Sequence, residues 1–149
     1  MRTVDVGSRL PQMSPADNEK ELAPRAILIV DDEPSIGFLL TEMLQSTGHP
    51  ILTAGSVSEA LTHLKSRPIA VLIVDVQLAG TDGIAFLQQA LEVDSRLLSI
   101  VMTGHGNIEL AVRAMKSGAA DFLTKPFEVE LVRQSVSRLL ELYRLRQEN

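Results

Sequence analysis

Three aspartates carry the strongest chemical signal in this sequence. Asp31 and Asp32 follow an apolar run at residues 26–30, and Asp75 follows a second apolar run at residues 70–74. Both runs are typical of fully buried strands in a parallel sheet, so each acid is expected where a strand emerges into solvent. If the two strands are neighbours, about 4.8 Å apart, the three carboxylates converge. Such a cluster favours a divalent cation with oxygen ligands, because the cation relieves the repulsion among the carboxylates.

Two further polar residues occupy equivalent places in the chain. Thr103 ends a predicted strand whose residues 98–102 are apolar except for Ser99, and Lys125 comes shortly after a brief predicted strand at residues 121–123. A lone polar residue after a strand is usually a turn former or a helix cap. A whole set of them, each after a different predicted strand, indicates one shared site, because ligands of open α/β sheets bind beyond the carboxyl ends of the strands.

The elements that must position these residues follow from an alternation of apolar runs with segments of helical period. Five strand–helix units fit from residue 26 onward, and right-handed crossovers turn them into an α/β sandwich with a parallel sheet. Apolar residues at helical spacing are expected to face inward. They include Leu39, Val112, Met115 and Leu131.

Composition limits the function classes and the domain count. The 149 residues carry a net charge of -5, with 14 basic and 19 acidic side chains and no cysteine. This balance argues against direct binding of nucleic acid or an anionic membrane, and no apolar run approaches about 18 residues. We therefore expect a cytoplasmic protein. Residues 1–24 are interpreted as a flexible leader, 25–142 as one domain, and 143–149 as a helical extension or linker.

Taken in order, these motifs resemble the receiver domain of two-component response regulators, over residues 26–142. The stretch from Thr103 to Phe127 is similar to receivers of transcriptional regulators, including the enhancer-binding kind. The resemblance implies a flavodoxin-like (βα)5 sandwich whose sheet has the strand order 2-1-3-4-5. The motifs that carry it are Asp31-Asp32, Asp75 with Gly80-Thr81-Asp82-Gly83, Thr103-Gly104, and Lys125-Pro126-Phe127.

The same resemblance implies a role for each residue of the cluster. Asp75 would accept a phosphoryl group from a sensor histidine kinase or a phosphotransfer protein. Mg²⁺, with Mn²⁺ as an alternative, would be ligated directly by Asp32 and Asp75. Asp31 would bind it through water, and Gln77 would bind it through its backbone carbonyl. Lys125 would neutralise a phosphoryl oxygen, so the domain would catalyse only its own phosphotransfer and dephosphorylation.

Signalling by such a domain would depend on a switch. By resemblance, Thr103 would bind the phosphoryl group, Phe122 would rotate inward in response, and the bond before Pro126 would be cis. Gln77 and His105 flank the site and are hypothesised to tune the lifetime of the acyl phosphate. An output domain or downstream protein would read the change, with homodimerisation through the fourth and fifth helices.

Three other classes of protein deserve comparison. An aspartyl-phosphate phosphohydrolase would need a second acid two residues after Asp75, where this chain has Gln77. A dinucleotide-binding module would need a glycine-rich turn after the first strand, where Asp31-Asp32-Glu33-Pro34 stands instead. A purely structural interaction domain stays open if phosphorylation has been lost.

Overall fold

The computed structural model describes residues 25–78, 80–104 and 107–147. The predicted leader at residues 1–24 and the predicted site residue His105 lie outside them. The main strands are β1 Ala26–Val30, β2 Ile51–Ala54, β3 Ile69–Asp75, β4 Leu98–Thr103 and β5 Asp121–Thr124. The helices are α1 Pro34–Leu44, α2 Val57–Ser66, α3 Gly83–Val93, α4 Ile108–Lys116 and α5 Val129–Gln147.

The strands form one parallel sheet in the order β2-β1-β3-β4-β5, which confirms the predicted fold and strand order. Every residue of β1, β3 and β4 is buried, as the uninterrupted apolar runs of β1 and β3 predict, and in β4 the buried residues include the polar Ser99 and Thr103. Helices α1 and α5 cover one face of the sheet, and α2, α3 and α4 cover the other. The carboxyl ends of the central strands therefore lie together at one edge of the sheet, between the two helical layers.

Short-range signals explain where several helices begin and end. Pro34 opens α1, and Gly48 ends the following 3-10 turn with φ of 79°. At α2, the Ser56 hydroxyl accepts the Glu59 N–H at 3.2 Å, as a capping box requires. The Glu59 carboxylate does not return to Ser56 but accepts the N–H of Gly55 at 2.8 Å.

The inward-facing prediction is wrong at four apolar positions. Leu39, Val112, Met115 and Leu131 have 42%, 46%, 40% and 54% of their surface exposed. The buried residues of α4 are the small Ala111 and Ala114, and Ala114 belongs to the core on that face of the sheet. Residues one position further round the helix then fall outside the narrow buried stripe, which helical spacing alone does not reveal.

The last helix packs against the domain along most of its length. Tyr143 is 3% exposed and belongs to the core, and the Arg96 side chain donates a hydrogen bond to the Gln147 side chain at 3.0 Å. The boundary at residue 142 stays a prediction. None of the helices in the described part of the chain is long and apolar enough to span a lipid bilayer.

Candidate functional site

The polar residues singled out by the sequence meet at one edge of the sheet. Asp31 directly follows β1, Asp75 is the last residue of β3, Thr103 is the last of β4, and Lys125 directly follows β5. Because the strands are parallel, their carboxyl ends share this edge. Residues far apart in the chain thereby become neighbours.

Lys125 joins the two buried carboxylates of the site. Its Nζ lies 2.8 Å from Asp75 Oδ2 and 3.0 Å from Asp31 Oδ2, with Glu33 Oε1 at 3.9 Å. Burial disfavours the ammonium, but the hydrogen bonds to Asp75 and Asp31 outweigh that effect and raise the pKa of Lys125 above its ordinary value. The lysine therefore stays charged between the two acids.

Each buried aspartate is oriented by the backbone N–H of the residue two positions further along the chain. Asp31 Oδ1 accepts the N–H of Glu33 at 2.9 Å, and Asp75 Oδ1 accepts the N–H of Gln77 at 2.8 Å. The second oxygen of each carboxylate is thereby directed toward Lys125. Burial raises the pKa of the Asp31 carboxyl, although the Glu33 N–H and the Lys125 ammonium favour its charged form.

Three carboxylates are close enough to share a cation. Asp31, Asp32 and Asp75 each offer one oxygen, and these oxygens all lie within 4.8 Å of one another. Asp31 and Asp75 are buried, whereas Asp32 is exposed and lies on the solvent side. The donor set consists of hard, charged oxygen atoms, which fits a cation such as Mg²⁺. The predicted role of the Gln77 carbonyl as a further ligand stays a prediction.

Thr103 holds a buried polar atom that lacks a partner. Its side chain is 1% exposed, and its Oγ1 has no hydrogen-bond partner among the described residues. The backbone carbonyl of Thr103 accepts the N–H of Lys125 at 2.9 Å, which links the ends of β4 and β5. An unsatisfied buried hydroxyl costs on the order of 1 kcal/mol or more, so an acceptor arriving beside Thr103 would be stabilised.

The remaining predicted residues fall into three groups. Phe122 would be read from sequence alone as a core residue, but its side chain is 41% exposed and lies on the edge strand β5. The peptide bond between Lys125 and Pro126 is cis. Gln77 has an exposed side chain, and the lifetime roles of Gln77 and His105 stay predictions.

Two residues that shape the site were missed by the sequence reading. Glu33 adds a third acid near Lys125, a role that its place directly after Asp32 could have suggested. Gly83 is named above only as part of the motif after Asp75, and its N–H donates to the carbonyl of Val76 at 3.0 Å. A Cβ at Gly83 would overlap the carbonyl oxygen of Asp75 and come within 2.6 Å of the Val76 Cα.

Gly83→Ala should therefore destabilise the domain and disturb Asp75. The added methyl would meet backbone atoms, which cannot rotate away, so we expect a loss of about 1–3 kcal/mol in the free energy of unfolding. Urea denaturation measures this loss. Gly104→Ala is the matched control, because a Cβ at Gly104 would meet nothing within 4 Å. Equal stability of the two variants would contradict the steric account.

An open groove of about 350 Å³ leads away from the acids between α1 and the start of α2. Asp31, Asp32 and Glu33 line one end of it, and Phe38, which is 71% exposed, lies on its rim. The acidic site is therefore reachable from solvent on the side of α1. A donor group on another molecule could approach the carboxylates from there.

Comparison with known proteins gives a consistent result. A protein-family model described as the response regulator receiver domain matches residues 27–137. The receiver domain of NtrX from Brucella abortus has a similar structure, with a TM-score of 0.74 and 37% sequence identity. That alignment covers 77% of this chain and 98% of the solved chain.

Two curated proteins illustrate the sequence similarity. The chain is 34% identical over 127 residues to the C4-dicarboxylate transport transcriptional regulatory protein DctD of Rhizobium meliloti, covering 85% of this chain and 28% of that protein. It is 38% identical over 124 residues to the nitrogen assimilation regulatory protein NtrX of Azorhizobium caulinodans, covering 82% of this chain and 27% of that protein. The chain thus spans about a quarter of the length of these relatives.

Proposed function

Because this chain belongs to the response regulator receiver domain family, we propose that it is a phosphorylation-dependent switch whose acceptor is Asp75. The donor is a sensor histidine kinase or a phosphotransfer protein, and an output domain or downstream protein reads the result. The observation that carries the proposal is the position of Asp75, which ends a central strand with one oxygen 2.8 Å from Lys125 and two other acids beside it.

The reaction is a transfer of the phosphoryl group from nitrogen to oxygen. A carboxylate oxygen of Asp75 attacks the phosphorus of a phosphohistidine, and the oxygen–phosphorus bond forms as the phosphorus–nitrogen bond breaks. The electron pair of the broken bond goes to the imidazole, which takes a proton from water. Lys125 neutralises charge on the phosphoryl oxygens, which is the main need of a loose, in-line transition state.

The acidic cluster supplies the metal ligands of this proposal. Asp32 and Asp75 would hold Mg²⁺ or Mn²⁺ directly, Asp31 would hold it through water, and Gln77 would contribute its backbone carbonyl. When bound, the cation would supply positive charge next to the transferring group. Support comes from the three carboxylate oxygens that lie within 4.8 Å of one another. The chain itself orients Asp31 and Asp75 through the N–H groups of Glu33 and Gln77.

Asp32→Asn should weaken Mg²⁺ binding without unfolding the domain. Asp32 is exposed, so the substitution leaves the core intact, but it removes a charged ligand and should lower the affinity on the order of tenfold. Calorimetric titration with MgCl₂ measures the affinity. Glu42→Gln, which neutralises an exposed acid on α1, serves as the control. Identical affinities of all three proteins would exclude Asp32 as a ligand.

Readout begins at Thr103 in this proposal. The buried Thr103 hydroxyl lacks an acceptor among the described residues, and a phosphoryl oxygen on Asp75 supplies one. The hydrogen bond between them draws the end of β4 toward Asp75. Phe122, half-exposed on the neighbouring strand, then rotates inward.

A partner or a second copy of the chain binds the surface formed by α4, β5 and α5. Exposed apolar side chains on these three elements support this part of the proposal. They are Ile108, Val112, Met115, Phe122 and Leu131.

Intact mass spectrometry tests the proposal. Incubation with acetyl phosphate and Mg²⁺ should add one phosphoryl group per chain, and excess EDTA should prevent the addition. No mass increase would contradict the proposed function. Multiple-turnover hydrolysis of unrelated phosphate esters would instead favour a phosphohydrolase of the aspartyl-phosphate type.

A further inference from the structure

One carboxylate outside the acidic site makes an unusual number of contacts. Asp121, the first residue of β5, accepts the Ser135 hydroxyl at 2.6 Å and an Arg138 N–H at 2.7 Å through Oδ2. Its Oδ1 accepts the backbone N–H of Phe122 at 2.8 Å. A single side chain therefore ties α5 to the backbone of the residue proposed to rotate. Bonds to an ionised carboxylate are stronger than those between neutral groups.

The strand that Asp121 begins lies at the edge of the sheet and has a paired strand on one side only, which among the described strands is β4. Backbone bonds to β4 flank the strand at both ends, from the Ala120 N–H to the Ser99 carbonyl at 2.8 Å and from the Lys125 N–H to the Thr103 carbonyl at 2.9 Å. Asp121 adds side-chain hydrogen bonds to α5 at the amino end of β5, which has no neighbouring strand on its other side among those described.

Phe122 lies next to the space that this arrangement leaves open. Together with Leu131, Gln134 and Arg138 it lines a groove of about 450 Å³ between β5 and α5. The ring is 41% exposed there. If the backbone at Phe122 is held in place, the ring can rotate about its side-chain bonds while β5 stays where it is.

We infer that Asp121 is a positioning residue of the switch, which clamps the amino end of β5 to α5 through Ser135 and Arg138. The inference rests on the proposed function. While the hydrogen bonds from Ser135 and Arg138 to Asp121 are intact, movement of Thr103 leads to rotation of the Phe122 ring. Without the α5 contacts, the edge strand itself shifts, and the response at Phe122 is reduced although phosphoryl transfer at Asp75 continues.

Fluorine NMR of protein labelled with fluorophenylalanine measures this response directly. The chain has four phenylalanines, so the spectrum is simple, and Phe122→Leu identifies the Phe122 signal. Mg²⁺ and beryllofluoride, a phosphoryl mimic, are added to the full chain. We expect Ser135→Ala and Arg138→Gln to reduce the displacement of the Phe122 signal by roughly half or more. Phosphorylation by acetyl phosphate should stay within about twofold of the unmodified rate.

Two further variants separate positioning from general stability. Arg138→Lys retains a cation that can reach Asp121 and should restore the signal displacement. Arg133→Gln removes another arginine of α5, which donates to the Met43 carbonyl on α1 at 3.0 Å, and should leave the displacement unchanged. The inference is overturned if the Phe122 signal of Ser135→Ala and of Arg138→Gln is displaced as far as in the unmodified protein. It is also overturned if Arg133→Gln reduces the displacement as much as they do. Failure of the unmodified protein to respond to beryllofluoride would contradict the proposed function and remove the inference with it.

Discussion

Asp75→Asn is expected to abolish phosphoryl uptake from acetyl phosphate, with a rate at least about a hundredfold lower. An amide oxygen is a much weaker nucleophile than a carboxylate, and the substitution preserves the shape of the side chain. The fold should survive, because Lys125 keeps its contact with Asp31 at 3.0 Å. Intact mass spectrometry over a time course measures the loss, and circular dichroism checks the fold.

The control for Asp75→Asn is the same substitution at an aspartate that lies outside the site and accepts a hydrogen bond from a nearby backbone N–H. Asp94 accepts the N–H of Arg96 at 3.0 Å at the end of α3. Asp94→Asn should therefore take up phosphoryl groups at the unmodified rate. Undiminished uptake in Asp75→Asn would place the acceptor elsewhere and refute the assigned nucleophile.

Lys125→Gln should have the second-largest effect. Removing a preorganised charge from a transferring group typically lowers the rate by about 10²–10³, and the amide of glutamine cannot replace the ammonium. Metal binding should change in the opposite direction. The lysine lies 2.8 Å and 3.0 Å from two of the carboxylates, so its removal takes away a cation that competes with Mg²⁺ for them.

Two measurements on the same variant therefore separate catalysis from metal binding. The phosphorylation rate should fall at saturating Mg²⁺, while calorimetric titration should show an equal or higher affinity for Mg²⁺. Lys116→Gln, which neutralises an exposed lysine at the end of α4, should change neither quantity. A parallel loss of metal affinity in Lys125→Gln would mean that the lysine supports the structure of the site rather than the transfer.

The sheet could be predicted because its signals are local and continuous. The uninterrupted apolar runs before Asp31 and Asp75 describe strands covered on both faces, and the alternation with helical segments dictates parallel crossovers. Once the strands are parallel, the residues at their carboxyl ends lie along the same edge of the sheet. The direct contacts of Lys125 with Asp31 and Asp75 were not predicted, because β5 is not adjacent to β1 or β3 and the lysine side chain must reach across β4.

Features that depend on distances between remote atoms could not be predicted in this way. The close approach of Gly83 to the Asp75 carbonyl depends on the path of the backbone after β3. The missing partner of the Thr103 hydroxyl depends on every neighbour of that atom. Phe122 is an apolar residue in a strand, but its strand lies at the sheet edge, which leaves the ring half-exposed. Sequence patterns report residue type and period, and they are silent about these packing details.

The most direct test of the central claim is to locate the phosphoryl group on the chain. Acyl phosphates are reduced by borohydride to the corresponding alcohol, so a phosphorylated aspartate becomes homoserine. After incubation with acetyl phosphate and Mg²⁺, reduction, digestion and peptide sequencing by mass spectrometry, we expect homoserine at position 75 alone. Homoserine at position 31 or 32, or an unmodified Asp75 in protein that carries the added phosphoryl mass, would contradict the account.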